Sequence, residues 1–227
     1  MAPNPASERP RYVAIIMDGN ARWAAARGLT TLDGHREGAH TLKRIVKAAV
    51  RHGVEELTVY AFSTENWSRP TDEVDGLMGI LTEMIHSETP ELSSEGVQMR
   101  FIGRRRGVSP ELIEQMDWST SETAGNERMK LFVAFNYGGR AELIDAIARY
   151  DGQDEESLTE LLYAPDMHDP DLVIRTSGEH RLSNFLIWQA AYSELHFTDV
   201  LWPDFAEADL VAAFDDFTER GRRFGSR

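Results

Sequence analysis

An apolar run that ends abruptly in polar residues is the feature that most limits how this chain can fold. Residues 13–17 are all apolar, and they pass directly into Asp-Gly-Asn-Ala-Arg-Trp at positions 18–23. A short apolar run without alternation is typical of a strand that is buried on both faces of a parallel sheet. Ligands of such sheets bind at the carboxyl ends of the strands. Residues 18–23 are therefore a candidate ligand-binding loop.

The side chains of this loop suit a hard cation or an anionic ligand. Asp18 offers carboxylate oxygens to a metal ion, and Gly19 lets the backbone approach a ligand closely. Asn20 and Arg22 supply donors for phosphate oxygens. Taken alone, the same residues also fit a polar turn in which Asp18 or Asn20 caps a helix. Other parts of the chain are needed to choose between these two interpretations.

Strand patterns alternate with helical patterns along the whole chain. After residues 13–17, strands are predicted at 56–62, 97–102, 131–136, 171–175 and 196–201. Helices are predicted at 24–28, 35–53, 72–90, 109–123, 142–150, 181–192 and from Asp204 onward, and 151–169 has the weakest pattern. This alternation predicts an α/β fold with a central, mostly parallel sheet flanked by helices. Residues 1–10 are expected to be a disordered tail, and residues 11–227 a single domain.

Composition excludes several functional classes. The 227 residues include no cysteine and carry a formal net charge of −14. This acidic balance argues against nucleic-acid binding, which needs a basic face, although a local cluster of cations can still hold a small anion. We recognise neither a signal peptide nor an apolar run long enough to span a bilayer. We therefore expect a cytoplasmic protein, either soluble or peripheral to a membrane.

Three of the predicted strands, at 13–17, 56–62 and 171–175, end in similar polar segments. A parallel sheet brings the carboxyl ends of its strands to one edge, so these segments can form one site with room for more than one phosphate group. The arginines in them are Arg22, Arg69, Arg175 and Arg181, and the hydroxyl groups belong to Ser63, Thr64, Thr176 and Ser183. Asp18 and Glu194 are then metal candidates rather than an acid–base pair. Any single one of these residues is more simply a surface or core residue, and only the joint pattern favours a site.

Motif segments in a fixed order also carry a resemblance to a known family. They are residues 17–23, 34–38, 60–70, 136–140, 171–183, 194–205 and 223–225. Through them the chain resembles the cis-prenyltransferases, the family of undecaprenyl diphosphate synthase, over nearly its whole length. The resemblance implies a homodimeric, Mg²⁺-dependent enzyme with a hydrophobic tunnel beside the sheet. It would condense isopentenyl diphosphate with an allylic diphosphate, such as farnesyl or geranyl diphosphate. The product would be a Z-polyprenyl diphosphate, a precursor of carrier lipids for cell-wall or glycan synthesis, released with a peripheral membrane contact.

The resemblance also implies roles for individual residues. Asp18 would bind the metal and assist ionisation, Glu194 would share that metal, and Asn66 would act near the proton transfer with Ser63. The allylic diphosphate would contact Gly19, Asn20, Arg22 and His35. The diphosphate of isopentenyl diphosphate would contact Arg175, Arg181 and Ser183, with Arg223 reaching in from the partner subunit. Further substrate-binding residues would be Ala21, Trp23, Thr64, Glu65, Trp67, Arg69, His180 and Leu182.

Two of these implied features can be argued from chemistry. A neutral amide is a poor general base, so we expect Asn66 to orient the substrate or relay a proton to a diphosphate oxygen. The tunnel is expected along the helix after Asp72, whose apolar stripe includes Leu77 and Leu81. Ala61 and Phe135 complete its lining, and the small side chain of Ala61 leaves room for a growing chain.

One departure and two rival interpretations remain at this stage. Many relatives carry Pro-Arg where this chain has Thr30-Thr31, so one cation for the allylic diphosphate is absent. A Mg²⁺-dependent phosphoesterase or a nucleotide-binding α/β enzyme would share the arginines and Asp18 but would need no tunnel. A non-catalytic subunit of a heteromeric prenyltransferase would not need Asp18, Arg22, Asn66 and Arg181, and this chain has all four.

Overall fold

The structure is a computed structural model that describes residues 9–152 and 154–220. Of the tail expected at 1–10, only Arg9 and Pro10 are among these residues, and Arg223 lies outside them. Arg9 Nη1 is 2.8 Å from His52 Nδ1, and Pro10 is buried. The packed part of the chain therefore includes Arg9 and Pro10.

The described residues form one sheet in which every strand pairing is parallel. Its strands are β1 (Tyr12–Ile16), β2 (Glu56–Ser63), β3 (Val97–Ile102), β4 (Met129–Tyr137), β5 (Leu172–Arg175) and β6 (Glu194–Phe197). The spatial order is β3-β4-β2-β1-β5-β6, so the direction of winding reverses between β1 and β5. In open α/β sheets a ligand crevice lies at such a reversal, beyond the carboxyl ends of the strands. The predicted α/β fold is confirmed, and its crevice lies next to Asp18.

Helices cover both faces of this sheet. They are α1 (Asn20–Ala25), α2 (Thr31–Arg51), α3 (Thr71–Ser94), α4 (Pro110–Glu122), α5 (Gly139–Ile147), α6 (Glu155–Thr159) and α7 (Glu207–Arg220). On one face, Ile45 of α2 and Phe214 of α7 pack against Val13 and Ile15 of β1. On the other face, Ala14 and neighbouring residues pack in a separate apolar cluster. None of the helices in the described part of the chain is long and apolar enough to cross a membrane.

The helix α2 begins at Thr31, before the predicted start at His35, because Thr30 caps it. The side chain of Thr30 accepts a hydrogen bond from Asp33 N at 3.2 Å, and Asp33 Oδ2 accepts one from Thr30 N at 3.0 Å. This reciprocal pair satisfies donors that the first turn of a helix leaves unbonded. Thr30 thus serves the helix start.

The segment 181–192 is not the predicted helix but a series of turns. Ser183, Asn184 and Leu186 have φ values of 48°, 67° and 43°, which a right-handed helix does not allow. Asn184 is held in this conformation partly because its backbone oxygen accepts a hydrogen bond from Gly139 N at 2.7 Å. The apolar residues that suggested a helix, such as Leu186, instead fill the core on one face of the sheet.

Pro90 does not end α3, contrary to the prediction. Proline removes one helical donor, which leaves the carbonyl of His86 without its partner. His86 and Pro90 are both exposed, and the unpaired carbonyl of His86 therefore faces water. Ile85 and Leu92 on the opposite side of α3 are buried, and their packing holds the helix together.

Two predicted boundaries near the end of the chain are also wrong. The last strand begins at Glu194 rather than at His196, and the last helix begins at Glu207 rather than at Asp204. Asp204 belongs instead to a short 3₁₀ helix, Trp202–Asp204, which buries Trp202. A 3₁₀ turn followed by two extended residues cannot be distinguished from a helix start by apolar spacing alone.

Two glycines of α2 allow α1 to pack closely against it. A Cβ atom on Gly34 would lie 2.2 Å from the backbone oxygen of Asn20, and one on Gly38 would lie 2.2 Å from Asn20 Oδ1. Neither separation is sterically possible, so only glycine fits at these positions. The close packing fixes Asn20 beside the crevice.

Candidate active site

A cavity of about 280 Å³ opens at the carboxyl ends of β1 and β2, between the sheet and the helices α2 and α3. Its polar lining residues are Asp18, Asn20, His35, Ser63, Asn66, Arg69 and Ser183. Its apolar lining includes Leu42, Ala61, Phe62, Leu77, Met78, Ile80, Leu81, Met84 and Phe135. An apolar cavity thus lies along α3, where the tunnel is expected. A cavity with one charged end and an apolar body fits an amphiphilic ligand.

Asp18 is fixed at the end of β1 by Thr176, which follows β5. The hydroxyl of Thr176 accepts a hydrogen bond from Asp18 N at 2.9 Å and donates one to Asp18 O at 2.7 Å. Trp202 N also donates to Asp18 O, at 3.0 Å. These hydrogen bonds join the backbone of Asp18 to Thr176 and Trp202, and thereby orient its carboxylate.

Arg175, the last residue of β5, is only 3% exposed. Its Nη2 donates to Asp18 Oδ2 at 2.8 Å, and its Nη1 donates to Ser183 Oγ at 2.7 Å and to Arg181 O at 2.5 Å. A buried cation is tolerated only with such partners. Arg175 therefore positions Asp18 and Ser183 from within the core. The sequence led us to expect Arg175 in the cavity, but it does not line it.

Asn20 lines the cavity at the start of α1. Its Nδ2 donates to Met17 O at 3.3 Å, whereas its Oδ1 is buried and has no hydrogen-bond partner among the described residues. A ligand or a water, such as one around a hydrated cation, is needed to satisfy that oxygen. Gly19, just before it, has φ 111°, and a Cβ there would lie 2.9 Å from Leu201 Cδ2. The positive φ and the close approach of Leu201 both restrict position 19 to glycine.

His35 is a neutral donor at the polar end of the cavity. Burial and, secondarily, the positive charge of Arg69 lower the pKa of His35 to about 4. The imidazole is therefore uncharged at pH 7 and carries one N–H. Arg69 itself is paired with Glu73 at 2.8 Å.

Ser63 and Asn66 cap the 3₁₀ helix Thr64–Ser68, which follows β2. Asn66 Oδ1 accepts a hydrogen bond from Ser63 N at 3.0 Å. The NH₂ group is therefore the part of the Asn66 amide that can face a ligand. Because this group is a donor and not a base, the geometry suits the orienting role expected for Asn66.

Thr64, Glu65 and Trp67 support the cavity from outside rather than line it. Trp67 Nε1 donates to Asn136 Oδ1 at 2.7 Å, at the end of β4. Glu65 Oε1 accepts from Asn184 Nδ2 at 2.8 Å, and Glu65 Oε2 accepts from Thr64 Oγ1 at 3.1 Å. These three residues thus join the loop after β2 to its neighbours.

Arg22 and Arg181 share one counter-ion, Glu179. Arg22 Nη2 is 3.6 Å from Glu179 Oε1, and Arg181 Nη1 bonds to Glu179 Oε2. More than half of each arginine side chain is exposed, so these ion pairs are weak. A diphosphate carries more charge than one carboxylate and can replace it on both arginines.

A β-bulge in β2 turns Ala61 into the cavity. Tyr60 pairs with Ala134 and Phe62 with Phe135, so Ala61 has no partner in the strand register. Bulges next to active sites commonly redirect a side chain in this way. The small methyl group of Ala61 keeps the cavity wide at this point.

Seven further predicted substrate-binding residues do not line the cavity: Gly19, Ala21, Arg22, Trp23, His180, Arg181 and Leu182. Trp23 Nε1 donates to Asp204 at 2.6 Å, which joins α1 to the segment before α7. The ring of His180 stacks on Phe197 at 4.8 Å between centroids. These contacts show structural roles that the sequence pattern did not reveal.

The two predicted metal ligands, Asp18 and Glu194, are not brought together within one chain. Glu194 begins β6 opposite Leu172, three residues before Arg175, or roughly 10 Å along the strand. It therefore lies towards the edge of the sheet opposite the crevice, where it is 3.4 Å from Arg220. The physical reason is the register of β6, whose first residue is Glu194.

A metal site built from protein side chains alone is not found in the described residues. They contain no group of three or more His, Cys, Asp and Glu residues that could hold an ion, and Asp18 is the only carboxylate among the cavity lining. Mg²⁺ is commonly held by one or two carboxylates together with waters and substrate phosphates. Asp18, whose Oδ2 faces Arg175, fits a Mg²⁺ that is bound jointly with a diphosphate.

Glu179, Gly38 and Trp202 belong to the site although they were not predicted as site residues. Glu179 lies in the polar segment after β5, between Arg175 and Arg181 in the sequence. Its position between two arginines is the sequence signal that could have identified it as a site residue. Trp202 Nε1 donates to Gly38 O at 2.8 Å, a contact between residues 164 positions apart. No local sequence pattern can reveal such a pair.

Known proteins that this chain is similar to form a consistent set. Residues 16–225 match the model of the family described as undecaprenyl diphosphate synthase. Isoprenyl transferase 2 of Bradyrhizobium diazoefficiens is 47% identical, over 96% of this chain and 91% of that protein. The ditrans,polycis-undecaprenyl-diphosphate synthase of Pectobacterium atrosepticum, described as (2E,6E)-farnesyl-diphosphate specific, is 46% identical over 95% of this chain and 90% of its own. The crystal structure of lavandulyl diphosphate synthase from Lavandula x intermedia, in complex with dimethylallyl diphosphate, superimposes with a TM-score of 0.92. The two sequences are 35% identical, and the superposition covers 96% of this chain and 99% of the lavandulyl diphosphate synthase chain.

The neutrality of His35 can be tested by NMR titration of its imidazole. We expect a midpoint near pH 4, because burial and Arg69 both disfavour the charged form. In an Arg69→Met variant the midpoint should rise but stay below the ordinary value, since burial remains. A wild-type midpoint near the ordinary histidine pKa of about 6.5 would contradict this account of the polar end.

Proposed function

This chain belongs to the undecaprenyl diphosphate synthase family, and we propose that it is a cis-prenyltransferase. It condenses isopentenyl diphosphate with an allylic diphosphate to give a Z-polyprenyl diphosphate. The observation that carries this proposal is the cavity, whose polar end includes Asp18 and whose apolar body follows α3. The diphosphate needs the polar end, and the growing hydrocarbon needs the apolar body. A phosphoesterase acting on soluble esters would have no use for the apolar body.

The allylic diphosphate binds at the polar end, next to Asp18. The neutral His35 donates a hydrogen bond to one of its oxygens, and Asn20 Oδ1, which has no partner among the described residues, accepts one from a water of a hydrated cation. Arg22 exchanges Glu179 for the diphosphate. Thr31 brings no cation to this side, so Arg22 and Arg69 supply the positive charge. The allylic hydrocarbon then points into the apolar body of the cavity.

Ionisation and coupling follow from this arrangement. The allylic carbon–oxygen bond breaks, and diphosphate leaves with the electron pair. The terminal alkene carbon of isopentenyl diphosphate then forms the new carbon–carbon bond, which leaves positive charge on the adjacent carbon. The carbon next to that one loses a proton, and the electrons of its C–H bond form the new double bond. Asp18 would hold a Mg²⁺ jointly with the diphosphate, and that ion would neutralise negative charge on the leaving group. The buried His35 adds a fixed donor where that charge develops, and Arg22 adds a mobile cation.

The second diphosphate, that of isopentenyl diphosphate, binds between Arg181 and Ser183. Arg175 supports this subsite by bonding to Ser183 Oγ at 2.7 Å and to Arg181 O. Arg223, beyond the described residues, would add a cation from the partner subunit. Asn66 orients isopentenyl diphosphate by donating a hydrogen bond from its NH₂ group to a diphosphate oxygen, and a diphosphate oxygen accepts the proton.

The active form is a homodimer, and an exposed apolar surface supports this. Ile144, Ile147 and Tyr192 are 63%, 58% and 77% exposed, although apolar side chains of this size are usually buried. The helix α5, which carries both isoleucines, is joined to the segment before Tyr192 by a hydrogen bond from Gln189 to Glu142 at 3.1 Å. Ile144 and Ile147 lie one turn apart on α5 and together form an exposed apolar surface of the kind that marks a protein interface.

The proposed activity is tested by incubating the protein with labelled isopentenyl diphosphate, several allylic starters and Mg²⁺, and sizing the products by chromatography. We expect prenyl products that depend on the starter and disappear when Mg²⁺ is chelated. Asp18→Ala should lower turnover by at least about 100-fold, since charge stabilisation of this kind is worth several kcal/mol. Absence of product from every starter would overturn the activity, and a fully active Asp18→Ala protein would overturn the mechanism.

The homodimer is tested by sedimentation velocity of wild-type protein and an Ile147→Glu variant. The wild type should sediment as a dimer, and the variant as a monomer, because a charge in an apolar interface is costly. Glu160→Gln, an exposed change outside α5, is the matched control and should leave the dimer intact. A monomeric wild type would contradict this part of the proposal.

A further inference from the structure

Two asparagines with left-handed backbones contact the short 3₁₀ helix that carries Asn66. Asn136, near the end of β4, has φ 49°, and Asn184, in the segment after β5, has φ 67°. Residues other than glycine rarely adopt this conformation, and those that do cluster at functional sites. We refer to Asn136 and Asn184 as the asparagine clamp, because both bind the 3₁₀ helix Thr64–Ser68.

Asn136 is buried, and its side-chain amide is fully used in this contact. Its Oδ1 accepts a hydrogen bond from Trp67 Nε1 at 2.7 Å. Its Nδ2 donates to Arg104 O at 2.7 Å and to Arg106 O at 3.2 Å, which fixes the orientation of the amide. The indole of Trp67 packs edge-on against Phe62, with 5.0 Å between the ring centroids, and Phe62 lines the cavity. The end of β4 therefore fixes one side of the 3₁₀ helix.

Asn184 binds the 3₁₀ helix through Glu65. Its Nδ2 donates to Glu65 Oε1 at 2.8 Å, and its Oδ1 accepts from Arg140 N at 2.9 Å. The backbone oxygen of Asn184 also accepts from Gly139 N at 2.7 Å. Burial acts to raise the pKa of Glu65, but hydrogen bonds, first among them the one from Asn184, lower it below its usual value. The Asn184 amide therefore donates to an ionised carboxylate, and the start of α5 fixes that amide.

The hydrogen bond from Asn184 to Glu65 joins two groups that line the cavity. Ser183 precedes Asn184, lines the cavity, and accepts a hydrogen bond from Arg175 Nη1 at 2.7 Å. Asn66 follows Glu65 and lines the same cavity. Because the Cα atoms of consecutive residues are only about 3.8 Å apart, the bond between Asn184 and Glu65 limits how far Ser183 and Asn66 can separate.

We propose that the asparagine clamp positions Asn66 and Ser183 to bind the same diphosphate, that of isopentenyl diphosphate, an inference that rests on the proposed prenyltransferase function. Two groups at a fixed separation bind one ligand better than two groups that move independently, because less ordering is needed on binding. Asn136 and Asn184 do not line the cavity, so they are positioning residues. The clamp lowers the KM for isopentenyl diphosphate and has no effect on the binding of the allylic diphosphate.

The clamp is tested with the variant Asn184→Asp, which keeps the acceptor for Arg140 N but replaces the donor to Glu65 by a carboxylate oxygen. Aspartate, like asparagine, tolerates the left-handed backbone. We expect the KM for isopentenyl diphosphate to rise at least about fivefold, because a hydrogen bond is lost and two carboxylates repel each other. The dissociation constant of an unreactive thiolo-diphosphate analogue of the allylic substrate, measured by titration, should be unchanged.

Two double variants separate the hydrogen bond from the added charge. In Asn184→Asp, Glu65→Gln the introduced amide can donate to the introduced carboxylate, so the hydrogen bond returns in the opposite direction. Asn184→Asp, Glu65→Ala has the same net charge but no donor at position 65. We expect the KM for isopentenyl diphosphate to return close to the wild-type value in the first double variant and to stay raised in the second.

The contact with Asn136 is tested separately with Trp67→Phe, which removes the indole N–H but keeps an aromatic ring against Phe62. This variant should also raise the KM for isopentenyl diphosphate, and it provides the test if Asn184→Asp does not fold. Asn126→Asp is the matched control, since Asn126 Nδ2 donates to Val97 O at 2.8 Å, at the start of β3. We expect this control to lower the thermal transition and to leave the KM unchanged.

The outcomes distinguish this inference from the function on which it rests. If the wild type makes no prenyl product, the proposed function itself is wrong. If the wild type is active and both Asn184→Asp and Trp67→Phe keep its KM for isopentenyl diphosphate, only the positioning role is overturned. A raised KM that Glu65→Ala restores as fully as Glu65→Gln would also overturn that role, because charge alone would then explain the effect.

Discussion

The ion pair between Arg175 and Asp18 is the interaction on which the rest of the site depends. It joins the ends of β5 and β1 at 2.8 Å, at the point where the winding of the sheet reverses. Because Arg175 is buried, removing its partner would leave an unpaired charge, which typically costs about 3–5 kcal/mol. Thr176 adds two hydrogen bonds to the backbone of Asp18. The carboxylate that faces the cavity is therefore held by the core of the sheet and not by a loop.

The same constraint explains the division of labour among the arginines. Arg175 is committed to Asp18 and Ser183, whereas Arg22 and Arg181 share only the partly buried Glu179. A fixed cation organises the edge of the sheet, and loosely held cations remain available for diphosphate. The apolar body of the cavity adjoins its polar end, which includes Asp18, at the bulge that turns Ala61 into the cavity. Charge and hydrocarbon are thus bound at neighbouring positions.

The buried strands and the polar segments that follow them could be predicted, because apolar runs have a clear pattern and parallel strands share one edge. The turns of segment 181–192 could not be predicted from the sequence. Their left-handed conformation depends on hydrogen bonds that Asn184 accepts from residues about 45 positions away, such as the one from Arg140 N. The position of Glu194 depends on its pairing with β5, which no local pattern reveals. Trp23 and His180 have indole and imidazole groups that suit a ligand, yet neighbouring protein groups already bind them.

The central claim is that one chain binds two diphosphates at once, on either side of Glu179. The most direct measurement is equilibrium titration, in Mg²⁺, with isopentenyl diphosphate and an unreactive thiolo-diphosphate analogue of an allylic substrate. The account predicts that each ligand binds once per chain and that saturation with one leaves the site for the other available. Competition of the two ligands for a single site would contradict it.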